Sequence, residues 1–289
     1  MPERLCLLSV HAHPDDEASK GAPTVAKYHA EGVRTVLVCC TGGEEGDILN
    51  PAMDTPEVRA DIGRIRLAEL KASTDIIGYD ETVLLGYRDS GMPDSEANKN
   101  PASFAQAPLD EAVGRLVAVI RRERPQVIIT YGDNQREYPH PDHLRVHEIS
   151  VLAFDLAGDP DRFPEAGPPF TPDKLYYSVW SGERFREMQA KFEELGIKSP
   201  FDEKWMARMT RTEPFTTSID VSGFNQIRGE ALKAHATQVD PTSPFWFGLP
   251  PEVLRGIHPY DEFRLAQSRV GSVDVTEDDL FAGIRATAR

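Results

Sequence analysis

Apolar runs and amphipathic stretches take turns along the first half of the chain. Leu5–Val10, Val33–Cys40 and Gln126–Tyr131 are short and almost unbroken in their apolar character, the pattern of strands buried on both faces. Gly21–Glu31, Pro56–Gly78, Leu109–Arg124 and Pro141–Ala157 instead show helical spacing, and the second of these is opened by Pro and closed by Gly. Thr82–Gly86 reads as a further short strand. Strands separated by helices imply right-handed crossovers and a parallel sheet covered on both faces. The expected fold class is α/β, a Rossmann-like, mostly parallel sheet flanked by helices.

The second half is less regular. Asp159–Asp173 holds five prolines and reads as a connector. Beyond it the pattern predicts strands at Lys174–Trp180 and Phe215–Val221, helices at Glu183–Leu195 and Ser222–Thr237, and an ordered loop at Pro241–Pro251. We therefore expect a core over residues 1–158. A smaller, irregular α+β region over 159–289 should complete the sheet and shape a pocket. No internal repeat or low-complexity tract is visible.

Composition narrows the class. With 289 residues, 40% hydrophobic and 27% charged, the chain has enough material for a sizeable core. A formal net charge of −15 argues against nucleic acid or an anionic membrane as partner, since both call for a basic surface. Cys6, Cys39 and Cys40 fall in apolar strands without zinc-ribbon spacing, so they read as reduced, buried thiols. The N-terminus lacks a signal-peptide pattern and no apolar run is long enough to span a bilayer. A cytoplasmic location is expected, and a homo-oligomer is compatible with the sequence.

Two clusters carry the chemistry. His13, Asp15 and Asp16 follow the first apolar run, and Tyr138-Pro139-His140-Pro141-Asp142-His143 follows the run ending at Tyr131. Ligands in open α/β sheets gather at the carboxyl ends of strands, so both clusters belong on one rim, together with Thr41–Asp47 and Asp89. HPDD alone could be a capped turn, but a turn needs neither the His nor two carboxylates. Two His/Asp clusters suit a catalytic zinc, which takes three protein ligands and leaves a position for water. His13, Asp16 and one second-cluster histidine would complete that set, with Asp15 as general base. Spacing leaves three arrangements open: His143 alone, His143 with His147 on one helix face, or His140 with His143. Asp142 could orient an imidazole, and Tyr138 and His140 could donate to an oxyanion. Iron(II) or cobalt(II) could replace zinc at such a site. Thr41–Gly46 has no Lys-Ser/Thr pair and two acidic residues, so it reads as a pocket-lining turn and not a phosphate loop. The same test disfavours a nucleotide-binding module.

HAHPDDE (His11–Glu17) with HPDH (His140–His143) resembles the zinc-dependent amidase/deacetylase superfamily that includes the N-acetylglucosaminyl-phosphatidylinositol deacetylases. The resemblance implies zinc on His13, Asp16 and His143, Asp15 as base and His140 as electrostatic or acid partner. TGGEEGDILNPAM (Thr41–Met53), IRLAEL (Ile65–Leu70), RDSGM (Arg88–Met92) and ALKAHATQ (Ala231–Gln238) resemble the branch that cleaves mycothiol S-conjugates. Lys20 matches that branch, where the biosynthetic deacetylase branch carries a small residue. Arg66 and Asp89 match positions that hold glucosaminyl-inositol, while Glu45 departs from the Arg expected at the entrance. The implied activity is cleavage of the amide joining an N-acetylcysteine S-conjugate to glucosaminyl-inositol, with the deacetylase as alternative. His235 reads as a residue reaching the site from the C-terminal half, and Phe245–Phe247 as a wall for the variable thiol substituent.

Overall fold

The computed structural model describes residues 4–132, 139–210, 214–271 and 276–285. In chain order the first half comprises β1 (Cys6–His11), α1 (Asp16–Ser19), α2 (Ala22–Ala30), β2 (Arg34–Thr41), α3 (Pro56–Ala60), α4 (Ile62–Ile77), β3 (Glu81–Tyr87), α5 (Leu109–Glu123), β4 (Val127–Thr130) and α6 (Pro141–Leu156). There follow β5 (Lys174–Val179), α7 (Gly182–Glu194), α8 (Glu203–Met209), β6 (Thr217–Asp220), α9 (Gln226–Ala234), α10 (Pro244–Phe247), α11 (Pro251–Gly256) and β7 (Tyr260–Ser268).

One seven-stranded sheet, ordered β3-β2-β1-β4-β5-β7-β6, runs through both halves. The β1, β2, β3, β4 and β5 ladders are parallel, whereas β7 runs antiparallel to both β5 and β6. Every residue of β1 and β4 is buried, which is why their sequences are mostly apolar and do not alternate. Side chains still alternate between faces. Leu8 and Val10 of β1 join Val113, Leu116 and Val117 of α5 and Ile149 and Phe154 of α6. Leu7, on the other face, meets Val25 and Tyr28 of α2 and Leu232 of α9. Full burial of such a side chain contributes about 1.5–3 kcal/mol, so these two layers hold the sheet rim in place. A separate aromatic cluster (Phe185, Met188, Phe192, Phe201, Leu249, Ile257) sits under α7, α8 and α10.

The parallel sheet matches the sequence expectation, and four elements differ from it. The single helix expected over Pro56–Gly78 is broken at Asp61, whose φ of −131° and ψ of 27° leave the helical region. Asp is a weak interior residue because its carboxylate competes for nearby backbone N–H groups. The helix expected over Ser222–Thr237 is confined to α9, and the Pro241–Pro251 loop contains the single turn α10. Strand β7 had no apolar alternation to reveal it: Asp261 and Glu262 are consecutive and both buried. Thr24 and Arg228 satisfy the first, and His258 the second.

The chain runs β1 to β2 to β3 on one side of β1, then returns to place β4 on the other side. Such a reversal opens a crevice at the carboxyl ends of the strands, between β1 and β4. Among the described residues no helix is long and apolar enough to cross a membrane.

Candidate metal-dependent active site

The first cluster leaves the end of β1 in a turn pinned from two sides. The Ala12 amide donates to the Tyr131 hydroxyl at 2.9 Å, and the Ala12 carbonyl accepts from the Thr41 amide at 2.9 Å. Asp15 then takes a φ of +117° before α1 begins at Asp16. A non-glycine residue there is strained by about 1–3 kcal/mol. The strain separates two adjacent carboxylates, with Asp16 pointing inward and Asp15 facing the crevice edge.

Three side chains converge inward. Asp16 Oδ2 is 3.5 Å from His13 Nδ1 and 3.5 Å from His143 Nε2, and the donor atoms of the three residues lie within 4.8 Å of one another. His143 projects from the first turn of α6 and stacks on Tyr131 at 4.4 Å between ring centroids. A second grouping, His13 with Asp89 and His140, satisfies the same distance test. One imidazole nitrogen serves each grouping. His13 Nε2 lies 3.2 Å from Asp142, whose carboxylate also accepts from the Ser90 amide and hydroxyl. An Nε2–H held by a buried carboxylate leaves the Nδ1 lone pair facing Asp16 and His143, the arrangement of a metal-ligating histidine. The His/Asp/His donor set with that backing fits a catalytic zinc.

Electrostatics agree. Burial alone would depress His13, yet hydrogen bonds from Asp142, Asp16 and Asp89 carry its pKa well above the usual histidine value. A cluster that draws a proton onto a buried imidazole is short of positive charge, as a cation site should be. Burial also opposes ionisation of Asp16, but Lys20 and His143 outweigh it and hold the carboxyl well below its normal range. Burial keeps His143 below the usual histidine value.

Asp15 differs from its neighbour. Burial pushes its pKa up, and Arg66 pulls against that shift. Arg66 is only 3% exposed at its side chain and donates to the Gly43 and Pro14 carbonyls at 2.6 Å each, and to Asp15 Oδ2 at 3.1 Å. Gly43 and Gly46 make room for it: a Cβ on either would lie 2.4 Å or 2.2 Å from the guanidinium. Thr41–Gly46 is thus a turn folded around Arg66.

The remaining candidates are placed as follows. His140 caps α6, its Nδ1 accepting from the Asp142 amide at 3.2 Å. Burial, then the charge of His13, brings its pKa down to about 4. The neutral ring therefore carries its proton on Nε2. Lys20 lies 2.5 Å from Asp16 Oδ1, and Glu45 pairs with Arg88 at the entrance. Asp89 accepts from the Gly91 and Glu45 amides and is 3.5 Å from His13 Nε2. Asp142 is fully buried, touching His13 and Ser90 behind the crevice. His235 also lies behind it: the ring is 2.6 Å from Glu17 Oε1, while Glu17 Oε2 accepts from the Asp15 amide. It braces the turn and does not line the cleft. His147 faces the Tyr131 carbonyl at 3.1 Å, away from the triad. Tyr138 lies outside the described residues.

Sequence reasoning missed Tyr131, whose hydroxyl donates to Asp16 Oδ2 at 2.5 Å, together with Ser90 and Glu17. Tyr131 ends the apolar run that precedes the second cluster, which was a usable signal.

The triad opens into a cleft of about 830 Å³. Its lining includes polar residues (Glu45, Asp47, Arg66, Asp89, Gln238) and aromatic ones (Trp180, Trp205, Phe245, Trp246).

Comparison with known proteins accords with this geometry. The family model for GlcNAc-PI de-N-acetylases, PIG-L, matches residues 8–154. A mycothiol S-conjugate amidase from Streptomyces coelicolor is 41% identical over 298 residues, covering 100% of both chains. A 1D-myo-inositol 2-acetamido-2-deoxy-alpha-D-glucopyranoside deacetylase from Geodermatophilus obscurus is 37% identical, covering 96% of this chain and 97% of that one. Among solved structures, the N,N'-diacetylchitobiose deacetylase from Pyrococcus horikoshii shares the fold with a TM-score of 0.61 at 16% identity, over 91% of this chain and 84% of that one. The chain belongs to the PIG-L, GlcNAc-PI de-N-acetylase family, as a metal-dependent hydrolase of amide bonds.

Proposed function

We propose that this member of the family cleaves the amide of mycothiol S-conjugates, releasing an N-acetylcysteine S-conjugate and glucosaminyl-inositol. The observation that carries the proposal is the mixed lining of the cleft around the triad, in which polar residues (Glu45, Asp89, Gln238) occur together with aromatic ones (Trp180, Trp205, Phe245, Trp246). A substrate that loses only acetate has no use for the aromatic part, whereas an S-substituted cysteine does. The 41% identity with the Streptomyces coelicolor amidase over the full chain supports the same choice.

In this scheme His13, Asp16 and His143 hold zinc, and Asp142 and Tyr131 orient His13 and Asp16. A zinc ion bound there would polarise the scissile carbonyl and lower the pKa of its water to roughly 7. Asp15, raised in pKa by burial and steered by Arg66, accepts the proton of the attacking water. His140 donates its Nε2–H to the oxyanion. Asp15, once protonated, is the group placed to deliver that proton to the departing amine. Arg66, Glu45, Asp89 and Gln238 all line the cleft and are the side chains available to sugar hydroxyls. Lys20 fixes the second oxygen of Asp16 and lines the cleft.

The test is turnover of a fluorescent bimane conjugate of mycothiol beside N-acetylglucosaminyl-inositol, by zinc-replete protein. Faster release of the cysteine-side conjugate supports the proposal. Deacetylation alone would make the chain a biosynthetic deacetylase and overturn it.

A further inference from the structure

The cleft has a side chamber that the scheme above leaves unused. It has a volume of about 60 Å³ and shares Ser19, Lys20, Ser178, Trp180, Phe245 and Trp246 with the cleft, so the two adjoin. A single water needs roughly 10–15 Å³ on such a measure. The chamber therefore accepts a carboxylate-sized group, but not another sugar.

Its charges are matched with one exception. Arg228 lies against Asp261 and donates to the Ser19 carbonyl at 2.7 Å. Glu262 is 2.8 Å from His258 Nε2. Burial disfavours a charged His258, but Glu262 and Glu187 outweigh it and raise the pKa, so that pair is neutral as a unit. Arg184, from the first turn of α7, has only two long contacts, 3.5 Å to Asn225 Oδ1 and 3.4 Å to the Ile257 carbonyl. It pairs with no carboxylate among the described residues. Burial, then the charge of Arg228, pulls its pKa down to about 9, against the opposing charges of Asp261, Glu187 and Glu262. None of these carboxylates is in hydrogen-bond contact with it, and a carboxylate is the partner its fork fits.

We propose that the chamber is the subsite for the far end of the thiol's S-substituent, selecting a flat apolar group that ends in a carboxylate held by Arg184. Trp180 and Trp246, edge-to-face with centroids 6.2 Å apart, flank the path of the flat part. The inference rests on the thiol-conjugate function proposed above.

The probes are the S-benzyl and S-(4-carboxybenzyl) conjugates of mycothiol, with the two matching S-substituted N-acetylcysteines for binding by calorimetry. Zinc-replete wild type should favour the carboxybenzyl conjugate in kcat/KM by about tenfold or more, mainly through KM. Arg184→Gln should abolish that ratio and Arg184→Lys restore part of it, with both variants checked for folding by circular dichroism. The wild-type ratio decides the case even where Arg184→Gln does not fold. Equal turnover of both conjugates by wild type, or a preference kept by folded Arg184→Gln, overturns the subsite and leaves the amidase function standing. Arg184-dependent binding of the carboxybenzyl N-acetylcysteine, with no turnover of either conjugate, supports the subsite and overturns the amidase function.

Discussion

The two parts of the cleft lining are built by different physics. The triad and the N-terminal part of the cleft hang from strand ends of the parallel sheet, where the metal-site side chains are held by hydrogen bonds. Asp16 alone is held by the His13 amide, Tyr131 and Lys20. The C-terminal part comes from short helices over an aromatic cluster, where rings pack edge-to-face, as Trp205 does on Phe245 at 5.7 Å. Hydrogen-bonded networks fix atoms to within tenths of an ångström, as proton transfer demands. Aromatic surfaces reward any flat apolar group that covers them. On the proposed function the comparison implies a division of labour: the hydrogen-bonded part sets the reaction, and the aromatic part sets which acyl group is accepted.

That division can be broken in several places. Asp15→Ala should lower kcat by about 10²–10⁴-fold on every substrate alike while leaving zinc content unchanged, measured by steady-state kinetics and metal analysis. Loss of zinc together with activity would recast Asp15 as a ligand. Tyr131→Phe removes the hydroxyl on Asp16, and chelator competition should show zinc affinity reduced about tenfold to hundredfold. An unchanged affinity would reduce Tyr131 to packing. Trp246→Ala should cost an aromatic thiol conjugate about tenfold in kcat/KM, several times the loss seen for N-acetylglucosaminyl-inositol. Equal losses would mean the aromatic part is structural.

The smallest effect concerns stability. His258, in the left-handed region at φ +36°, faces Glu262 on β7 and Glu187 and Arg184 on α7. Its folded pKa is raised, so its stabilisation is complete below the unfolded value near 6.5 and is lost as pH rises through the folded value. Urea denaturation should find His258→Asn less stable than wild type by about 1 kcal/mol at pH 6, with the gap closing at alkaline pH. A gap that grows with pH would reverse the sign assigned to this pair.

The same contrast explains what the sequence made legible. Central strands such as Cys6–His11 are buried throughout and mostly apolar, and a motif such as His13–Asp16 is local, so both could be read from neighbouring letters. Elements whose partners are remote could not. Strand β7 hides behind Asp261 and Glu262, and Asp261 is neutralised by Arg228, 33 positions away. His235 was expected on the cleft wall, yet it supports Asp15 from behind through Glu17, 218 positions earlier in the chain. Arg66, expected to hold sugar, lines the cleft and also braces the turn through Gly43 and Pro14, partners that its own neighbours in sequence do not reveal. In each case the residue type was informative, but the facing partner decided its use.

The most direct test is a crystal structure of zinc-loaded Asp15→Asn with an uncleaved aromatic conjugate of mycothiol. The scissile amide should lie at His13, Asp16 and His143, with glucosaminyl-inositol against Glu45 and Asp89 and the S-substituent against Trp180 and Trp246. A reversed orientation, or an S-substituent turned to solvent with the aromatic part bare, would contradict the division between the two parts.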